Sequence, residues 1–514
     1  MIKKFRLLLL KINFRQTAYI IPLIIFLVAF ILRFYQFEER FEWTGNQSHF
    51  AWEIKQLTDG HLTLVGFDAA AIGNLRFPPF LLYFLAPLFI IFKGHPLGID
   101  ALLIILGAVT SVAFYFIGKM VFDKNIAIIS AIIYTFSLRA IIVDRKFMPT
   151  TFMVIFSLLA IGYLYRLLQA KALRFSQMFI LGTILGLGFS IHYQAFFILF
   201  VTIIILFWQR KLRLFSKNFV VLFVTIGFWL SPLLFFDFRH DFFTLKGLFL
   251  LHGSYTQGPT VSGFVQSAEY ILGNFLALIW QPGYLLNYQK IIGVIPTILL
   301  TLLLIFYPLF IVVPKKSKIL SVYFVLLSLF GFLTYSFYKR GSYNFDYYYR
   351  FLIPVFVFAI ALTINKLLKA KIALIVLFLL AFILLNIKLI ISYKAPDSYK
   401  LFKSAVNTIL VDSQNQPDEK IVVKFFGIPP TQIDYLFYVQ SKNFDISPEK
   451  IILISDEDLF QERVFAKSQP PITILSKSKG KSESPHYLFE RSVEARKDYL
   501  LLYNSERYRV YRLI

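Results

Sequence analysis

Pro78-Pro79-Phe80-Leu81-Leu82-Tyr83-Phe84-Leu85-Ala86-Pro87-Leu88-Phe89-Ile90-Ile91-Phe92 is the stretch on which the whole topology turns. It is apolar throughout, yet short and interrupted by Pro78, Pro79 and Pro87. A spanning helix takes roughly 20 apolar residues. If this segment crosses a bilayer, every later loop changes side. If it lies along the outer interface, where carbonyls freed by proline reach water, it does not.

The basic clusters decide between the two. The N-terminus carries Lys3, Lys4, Arg6, Lys11 and Arg15, and basic loops stay in the cytoplasm. Thr17–Phe34 then exits. It is long and lacks a small-residue cleavage site, so it reads as a retained span and not a signal peptide. With Pro78–Phe92 on the interface, Leu97–Gly118 returns inward to Lys119 and Lys124. Asn125–Val143 exits, and Phe147–Leu168 returns to Arg166, Lys171 and Arg174. Ser176–Ile191 exits, and Tyr193–Trp208 returns to Arg210, Lys211, Arg213 and Lys217. Phe219–Phe236 exits, and Ile291–Val313 returns to Lys315, Lys316 and Lys318. Ile319–Phe337 exits, Arg350–Asn365 returns to Lys366, Lys369 and Lys371, and Ile372–Ser392 exits last. Every inward arrival meets lysines and arginines. The expectation is a polytopic α-helical membrane protein of about eleven spans, set by the bilayer's thickness, with a cytoplasmic N-terminus and an external C-terminal domain.

Composition agrees. The chain is 58% hydrophobic, with 60 phenylalanines in 514 residues, more apolar surface than a soluble fold of this size hides. The net charge of +24 raises nucleic acid as a partner, but its placement argues against that. Residues 394–514 hold 18 Lys/Arg against 16 Asp/Glu, while residues 1–393 hold 35 against 13, where orientation in the membrane requires basic excess. The absence of cysteine excludes disulfides and thiolate metal sites.

The outer junctions gather the unusual residues. The first outer loop, Tyr35–Phe77, contains Phe41-Glu42-Trp43-Thr44-Gly45-Asn46-Gln47. The second junction is Asp144-Arg145-Lys146, the third His192-Tyr193. The fourth opens with Asp237-Phe238-Arg239-His240, and the fifth runs from Lys339-Arg340 to Tyr347-Tyr348-Tyr349-Arg350. Taken singly, such residues snorkel to headgroups or cap helix ends. Cations outside run against the orientation rule, however, and five junctions holding His, Arg or Asp together suggest one polar site that binds an anion.

After Tyr393 the pattern changes to that of a small α/β domain, residues 394–514, following a membrane domain of residues 1–393. Ser398–Val411 and Thr431–Gln440 read as helices. Lys420–Phe426, Ile451–Ile454, Ile472–Leu475 and Tyr499–Leu513 read as strands, the last folding into a hairpin around Asn504-Ser505-Glu506.

The layout resembles the GT-C glycosyltransferases. The nearest in pattern are the dolichyl-phosphate-mannose protein mannosyltransferases, the aminoarabinose lipid A transferases and the rhizobial lipopolysaccharide glycosyltransferases. The resemblance runs from Phe34 to about His240 and lies in the order of several short motifs. These are Trp43-Thr44-Gly45-Asn46-Gln47, Phe77-Pro78-Pro79-Phe80-Leu81-Leu82-Tyr83, Tyr115-Phe116-Ile117-Gly118-Lys119-Met120-Val121-Phe122, Leu187-Gly188-Phe189-Ser190-Ile191-His192-Tyr193, and Pro232-Leu233-Leu234-Phe235-Phe236-Asp237-Phe238-Arg239-His240. It implies sugar transfer from a polyprenyl-phosphate carrier to a lipid, glycan or protein acceptor on the outer face of the plasma (inner) membrane. A carboxylate in the first outer loop would serve as general base, since a base must reach the attacking oxygen. Basic residues at the other junctions would hold the departing phosphate, where fixed donors shielded from water count most.

Two positions depart from that pattern. The first-loop aspartate falls on Asn46, whose amide takes no proton at neutral pH, and a polar position before Pro149 falls on Met148. Glu42, Glu53 or Asp144 are the candidates to replace the base. The carrier-binding candidates are Arg145, His192, Tyr193, Asp237, Arg239, His240, Arg340, Tyr349 and Arg350. No metal site is assigned: outer acidic residues are compatible with a divalent ion, but no ligand spacing argues for one. The competing readings are a carrier-binding homologue without efficient transfer, and, ranked last, a transporter or flippase. The latter would carry charges at mid-membrane depth and repeated broken helices.

Overall fold

The computed structural model describes residues 14–67, 75–247, 261–282, 287–310, 318–336, 345–367, 372–414, 421–426, 434–444, 451–455, 486–490, 499–504 and 509–513. Arg340 and the expected strand Ile472–Leu475 lie outside them. The chain divides into two compact units. One holds residues 1–35, 63–81 and 101–393, the other residues 36–62, 82–100 and 394–514.

The first unit is helical, and its helices are apolar because a membrane leaves backbone groups no partner but one another. Among the described residues six helices are long and apolar enough to cross: Leu97–Val121, Pro149–Gln169, Lys217–Arg239, Lys318–Ser336, Tyr347–Lys366 and Ala373–Ser392. Lys124–Phe136 and Leu138–Asp144 meet at a 67° bend and make a seventh if the bent pair is one span. The expectation of about eleven spans, made by counting bilayer-length apolar runs, is therefore corrected downward. Four expected spans fall on shorter apolar helices, Tyr19–Phe34, Phe175–Ile191, Ala195–Trp208 and Val294–Leu304. Ala195–Trp208 has 14 residues, a rise of about 21 Å against a hydrocarbon core of about 30 Å. Residues counted from the sequence as span, such as Tyr193, lie in turns instead.

The bend shows how the interior tolerates a broken helix. Ser137 closes the first piece and caps the second, its side chain accepting from the Ala140 amide. The amide of Leu138 donates to Asn386 Oδ1 at 3.1 Å, and Asn386 Nδ2 donates to the carbonyls of Ile279 and Phe382 at 3.0 and 3.1 Å. Asn386 is fully buried in the last helix, Ile372–Ser392, and its side-chain oxygen satisfies the Leu138 amide beside the break.

In the second unit Gly45–Thr58 opens with a capping box between Thr44 and Gln47. Phe41, Trp43, Tyr399 and Tyr435 bury their rings together, with centroids 5.9 to 6.2 Å apart. The Trp43 amide donates to the Asp397 carbonyl and the Tyr399 amide to the Phe41 carbonyl, each at 2.7 Å. Lys400–Glu39 and Lys403–Glu38 add ion pairs at 2.6 and 2.8 Å. Helices Tyr399–Ser413 and Asp434–Ser441 accompany a five-stranded mixed sheet. Its strands are β1 (Ile421–Phe426), β2 (Ile451–Ser455), β3 (His486–Glu490), β4 (Tyr499–Asn504) and β5 (Arg509–Leu513), in the order β2-β1-β3-β5-β4. β1 is parallel to β2 and β3, and β5 is antiparallel to β3 and β4. Strand β3 was not read from the sequence. Pro78–Phe92 resolves into Phe80–Ile91, 12 residues with Pro87 inside, about 18 Å long and too short to span.

Candidate active site

The bend at Ser137 aims the short helix Leu138–Asp144 so that the second junction is buried: Asp144 is 4% exposed and Arg145 2%. Arg145 caps the helix, its amide donating to Ile141 at 3.1 Å. The next turn is pinned by Thr151, whose hydroxyl meets the carbonyls of Lys146 and Val143 at 2.5 and 3.2 Å. The same hydroxyl accepts Nη1 of Arg350 at 2.7 Å. Arg350 lies in the 3-10 segment Phe345–Leu352 and is buried, so the fifth junction is tied to the second.

The third junction joins them. Gln194, also buried, donates through Nε2 to the Tyr347 carbonyl at 3.0 Å, and its amide donates to His192 Nδ1 at 3.1 Å. With Nδ1 accepting, a neutral imidazole carries its proton on Nε2 and presents a donor. Burial, reinforced by the charge of Arg350, pushes the His192 pKa down to about 3, so the ring stays neutral. Phe77 packs against His192 and Tyr193, with ring centroids 5.0 and 4.9 Å away. Tyr193 donates to the Arg76 carbonyl, and burial together with the charge of Asp237 holds its phenol above the ordinary range. The segment bearing Phe77 is fixed by Gly66, whose amide donates to the Phe77 carbonyl at 2.6 Å. A Cβ on Gly66 would collide with the Pro78 carbonyl, so only glycine permits the approach.

Behind this cluster lies a buried ion pair. Asp144 Oδ2 accepts Nε and Nη2 of Arg33 at 2.8 and 2.7 Å, and Oδ1 accepts the Tyr134 hydroxyl at 2.5 Å. Arg33 donates further to the carbonyls of Ala29, Tyr134 and Thr135 and is fully buried. Asp237 is committed as well, its two oxygens accepting the Thr244 and Leu245 amides at 2.7 and 3.0 Å. Both carboxylates at the converging junctions thus serve as acceptors within the protein. The Arg145 and Arg350 guanidinium groups are buried and His192 presents a neutral imidazole donor, chemistry of the kind that holds an anion.

Four junctions therefore converge, through Asp144 and Arg145, His192 and Tyr193, Asp237, and Arg350. Tyr349 is engaged elsewhere: its hydroxyl meets Ser267 Oγ at 2.5 Å and its ring packs on Tyr335 at 4.9 Å. Arg239 and His240 are exposed, with the Arg239 guanidinium 5.6 Å from the Phe235 ring centre and His240 stacked on Phe236 at 4.1 Å. Asn46 and Glu42 belong to the second unit. Asn46 is exposed in the first turn of Gly45–Thr58, and Glu42 bridges to Ser398. Among the described residues no three His, Asp or Glu side chains are placed to hold a metal.

Arg33, Tyr134, Thr151 and Gln194 were missed from the sequence. For Arg33 a signal existed: a lone cation one residue inside the outer end of an apolar run opposes the charge bias, as the candidates already chosen did. The other three are ordinary helix and turn residues, and nothing in one sequence marks them.

The dolichyl-phosphate-mannose-protein mannosyltransferase family matches residues 76–236, which include Asp144, Arg145, His192 and Tyr193. No curated protein sequence matches the chain. Among solved structures, the Archaeoglobus fulgidus oligosaccharyltransferase, crystallised with zinc and sulfate, is similar at 15% identity and a TM-score of 0.51. The similarity covers 81% of this chain and 61% of that one, so the chain spans less than two thirds of that enzyme's length. ArnT from Cupriavidus metallidurans, bound to undecaprenyl phosphate, is similar at 10% identity and a TM-score of 0.48, covering 96% of this chain and 98% of that one. The chain is a multi-pass membrane protein with the fold of the GT-C glycosyltransferases.

Proposed function

We propose that this protein is a membrane glycosyltransferase that moves a sugar from a polyprenyl-phosphate carrier to a lipid, glycan or protein acceptor. The observation that carries the proposal is that three separate turns of the chain are tied together and buried: Arg350 donates to Thr151, Gln194 donates to the Tyr347 carbonyl and to His192, and Arg350 acts on His192. Guanidinium groups and an imidazole N–H held by fixed partners need little reorganisation when negative charge develops on a leaving phosphate. The family match across residues 76–236 supports the same reading.

The basic clusters support an N-terminus on the cytoplasmic side of the plasma (inner) membrane, with transfer and the C-terminal domain on the outer side. Arg145, Arg350, His192 and Tyr193 are assigned to the carrier phosphate. The acceptor's base is assigned to the first outer loop, with Glu42 first and Asn46 orienting the acceptor, because the oxygens of Asp144 and Asp237 are already occupied. In membranes containing the protein, labelled sugar should pass from a polyprenyl-phosphate donor to acceptor, and Arg350→Gln should abolish the transfer. Undiminished transfer by that variant would remove the site.

A carrier-binding homologue without transfer is the second reading, favoured by the amide at Asn46. Asn46→Asp separates the two. A large gain in transfer identifies a weakened enzyme, whereas unchanged transfer, with loss in Glu42→Gln, identifies a different base.

A further inference from the structure

Two neighbouring helices begin level and do not end level. Asn218 Nδ2, in the first turn of Lys217–Arg239, donates to the Leu173 carbonyl at 3.4 Å, just before Phe175–Ile191 begins. The two then run in the same direction. A Cβ on Gly182 would meet Thr225, one on Gly186 would meet Trp229, and the Ser190 hydroxyl donates to the Trp229 carbonyl at 3.0 Å. The first helix stops one residue after Ser190, while the second continues to Arg239. About two turns, Leu233–Arg239, therefore stand roughly 10 Å beyond the His192-Tyr193-Gln194 turn. The helix leaving that turn, Ala195–Trp208, has 14 residues and is about 21 Å long.

Arg174, Arg210 and Lys217 are exposed at the opposite end of these three helices, where Lys211 Nζ donates to the Ala170 carbonyl, and they mark one headgroup level. From there Lys217–Arg239, about 34 Å long, covers a hydrocarbon core of about 30 Å, whereas Phe175–Ile191 and Ala195–Trp208 fall short by about 5 and 9 Å. The uncovered faces of the short pair are apolar, with Phe179, Ile180, Phe196 and Phe200 exposed, so lipid meets them. Arg76 is carried at the level of the turn, its carbonyl accepting the Tyr193 hydroxyl, and it is half-buried. A cation is costly at hydrocarbon depth, whereas a bilayer thins against a short apolar face at modest cost. We propose that the bilayer thins against Phe175–Ile191 and Ala195–Trp208, so that phospholipid headgroups dip by about 5–9 Å to the His192-Tyr193-Gln194 turn and to Arg76.

The chain has no cysteine, so single cysteines take a nitroxide label without background. Three exposed sites serve: F196C in the first turn of Ala195–Trp208, F200C one turn on, and F238C in the last turn of Lys217–Arg239. With the full chain in dioleoyl phosphatidylcholine vesicles, label depth is read from collision with oxygen against a water-soluble nickel chelate. Thermal melting of each variant checks folding. F196C should lie within about 3 Å of the depth of F238C, and F200C about 6 Å deeper. An F196C label about 10 Å deeper than F238C would overturn the inference, because the turn would then sit in undisturbed hydrocarbon. So would F196C and F200C labels shielded from both reagents, which would mean a second copy covering the face. Should F196C fail to fold, F200C decides alone: about 6 Å below F238C supports thinning, and about 16 Å contradicts it. Each of these depths is read whether or not the chain transfers sugar.

Discussion

Two helix ends, both carrying arginine, meet opposite fates. At the second junction the helix bends at Ser137 and both Asp144 and Arg145 are buried, Asp144 against Arg33 and Tyr134. At the fourth, Lys217–Arg239 runs straight on. Asp237 turns in to cap the next segment, and Arg239 and His240 lie exposed on their own helix's phenylalanines. A charge at a helix end is drawn into the interior when a break or a close neighbour buries that end. Otherwise it settles on the nearest aromatic face, as long cationic side chains do.

The sharpest way to break the comparison is to neutralise the buried arginine tied to the second junction through Thr151 and the exposed arginine of the fourth. Arg350→Gln is expected to lower sugar transfer about a hundred-fold or more, the scale of losing one preorganised donor to developing charge. Arg239→Gln should leave initial rates within about two-fold, as expected for an exposed cation. Equal losses would place the substrate at the exposed end.

Stability separates the ends next. Asp144→Leu strands the Arg33 guanidinium in the interior and should cost about 3–5 kcal/mol, read from denaturant or thermal unfolding in detergent. Asp237→Ala removes two capping bonds from a helix end and should cost about 1–2 kcal/mol. His240→Ala should stay within about 0.5 kcal/mol.

Acid sharpens the comparison further. The His192 pKa is pushed down by burial and by Arg350, so the folded state favours the neutral ring. Its contribution to stability is complete above the unfolded value of about 6.5 and is lost as pH falls from there toward about 3. His192→Gln should flatten melting temperature across that window. A variant that keeps the wild-type slope would assign the acid sensitivity elsewhere.

Much of this was legible in the sequence, and the limits have physical causes. The membrane class followed from apolar runs, and the family resemblance from the order of short motifs. The span count did not, because apolar composition does not set helix length: Tyr193–Trp208 reads as a span, whereas the helix is Ala195–Trp208, 14 residues. Arg33 was concealed in the same way, as one charge in Phe14–Phe34 that only a carboxylate 111 residues later explains. The grouping of residues 36–62 and 82–100 with the C-terminal segment rests on contacts such as Trp43 to Asp397 and Tyr399 to Phe41, which no local pattern encodes.

A density map of the protein with a polyprenyl phosphate bound tests the central claim most directly. The phosphate is expected within hydrogen-bonding reach of Arg145 and Arg350, with the His192 imidazole at its edge. A phosphate resting against Arg239 and His240, with the buried cluster untouched, would contradict the account.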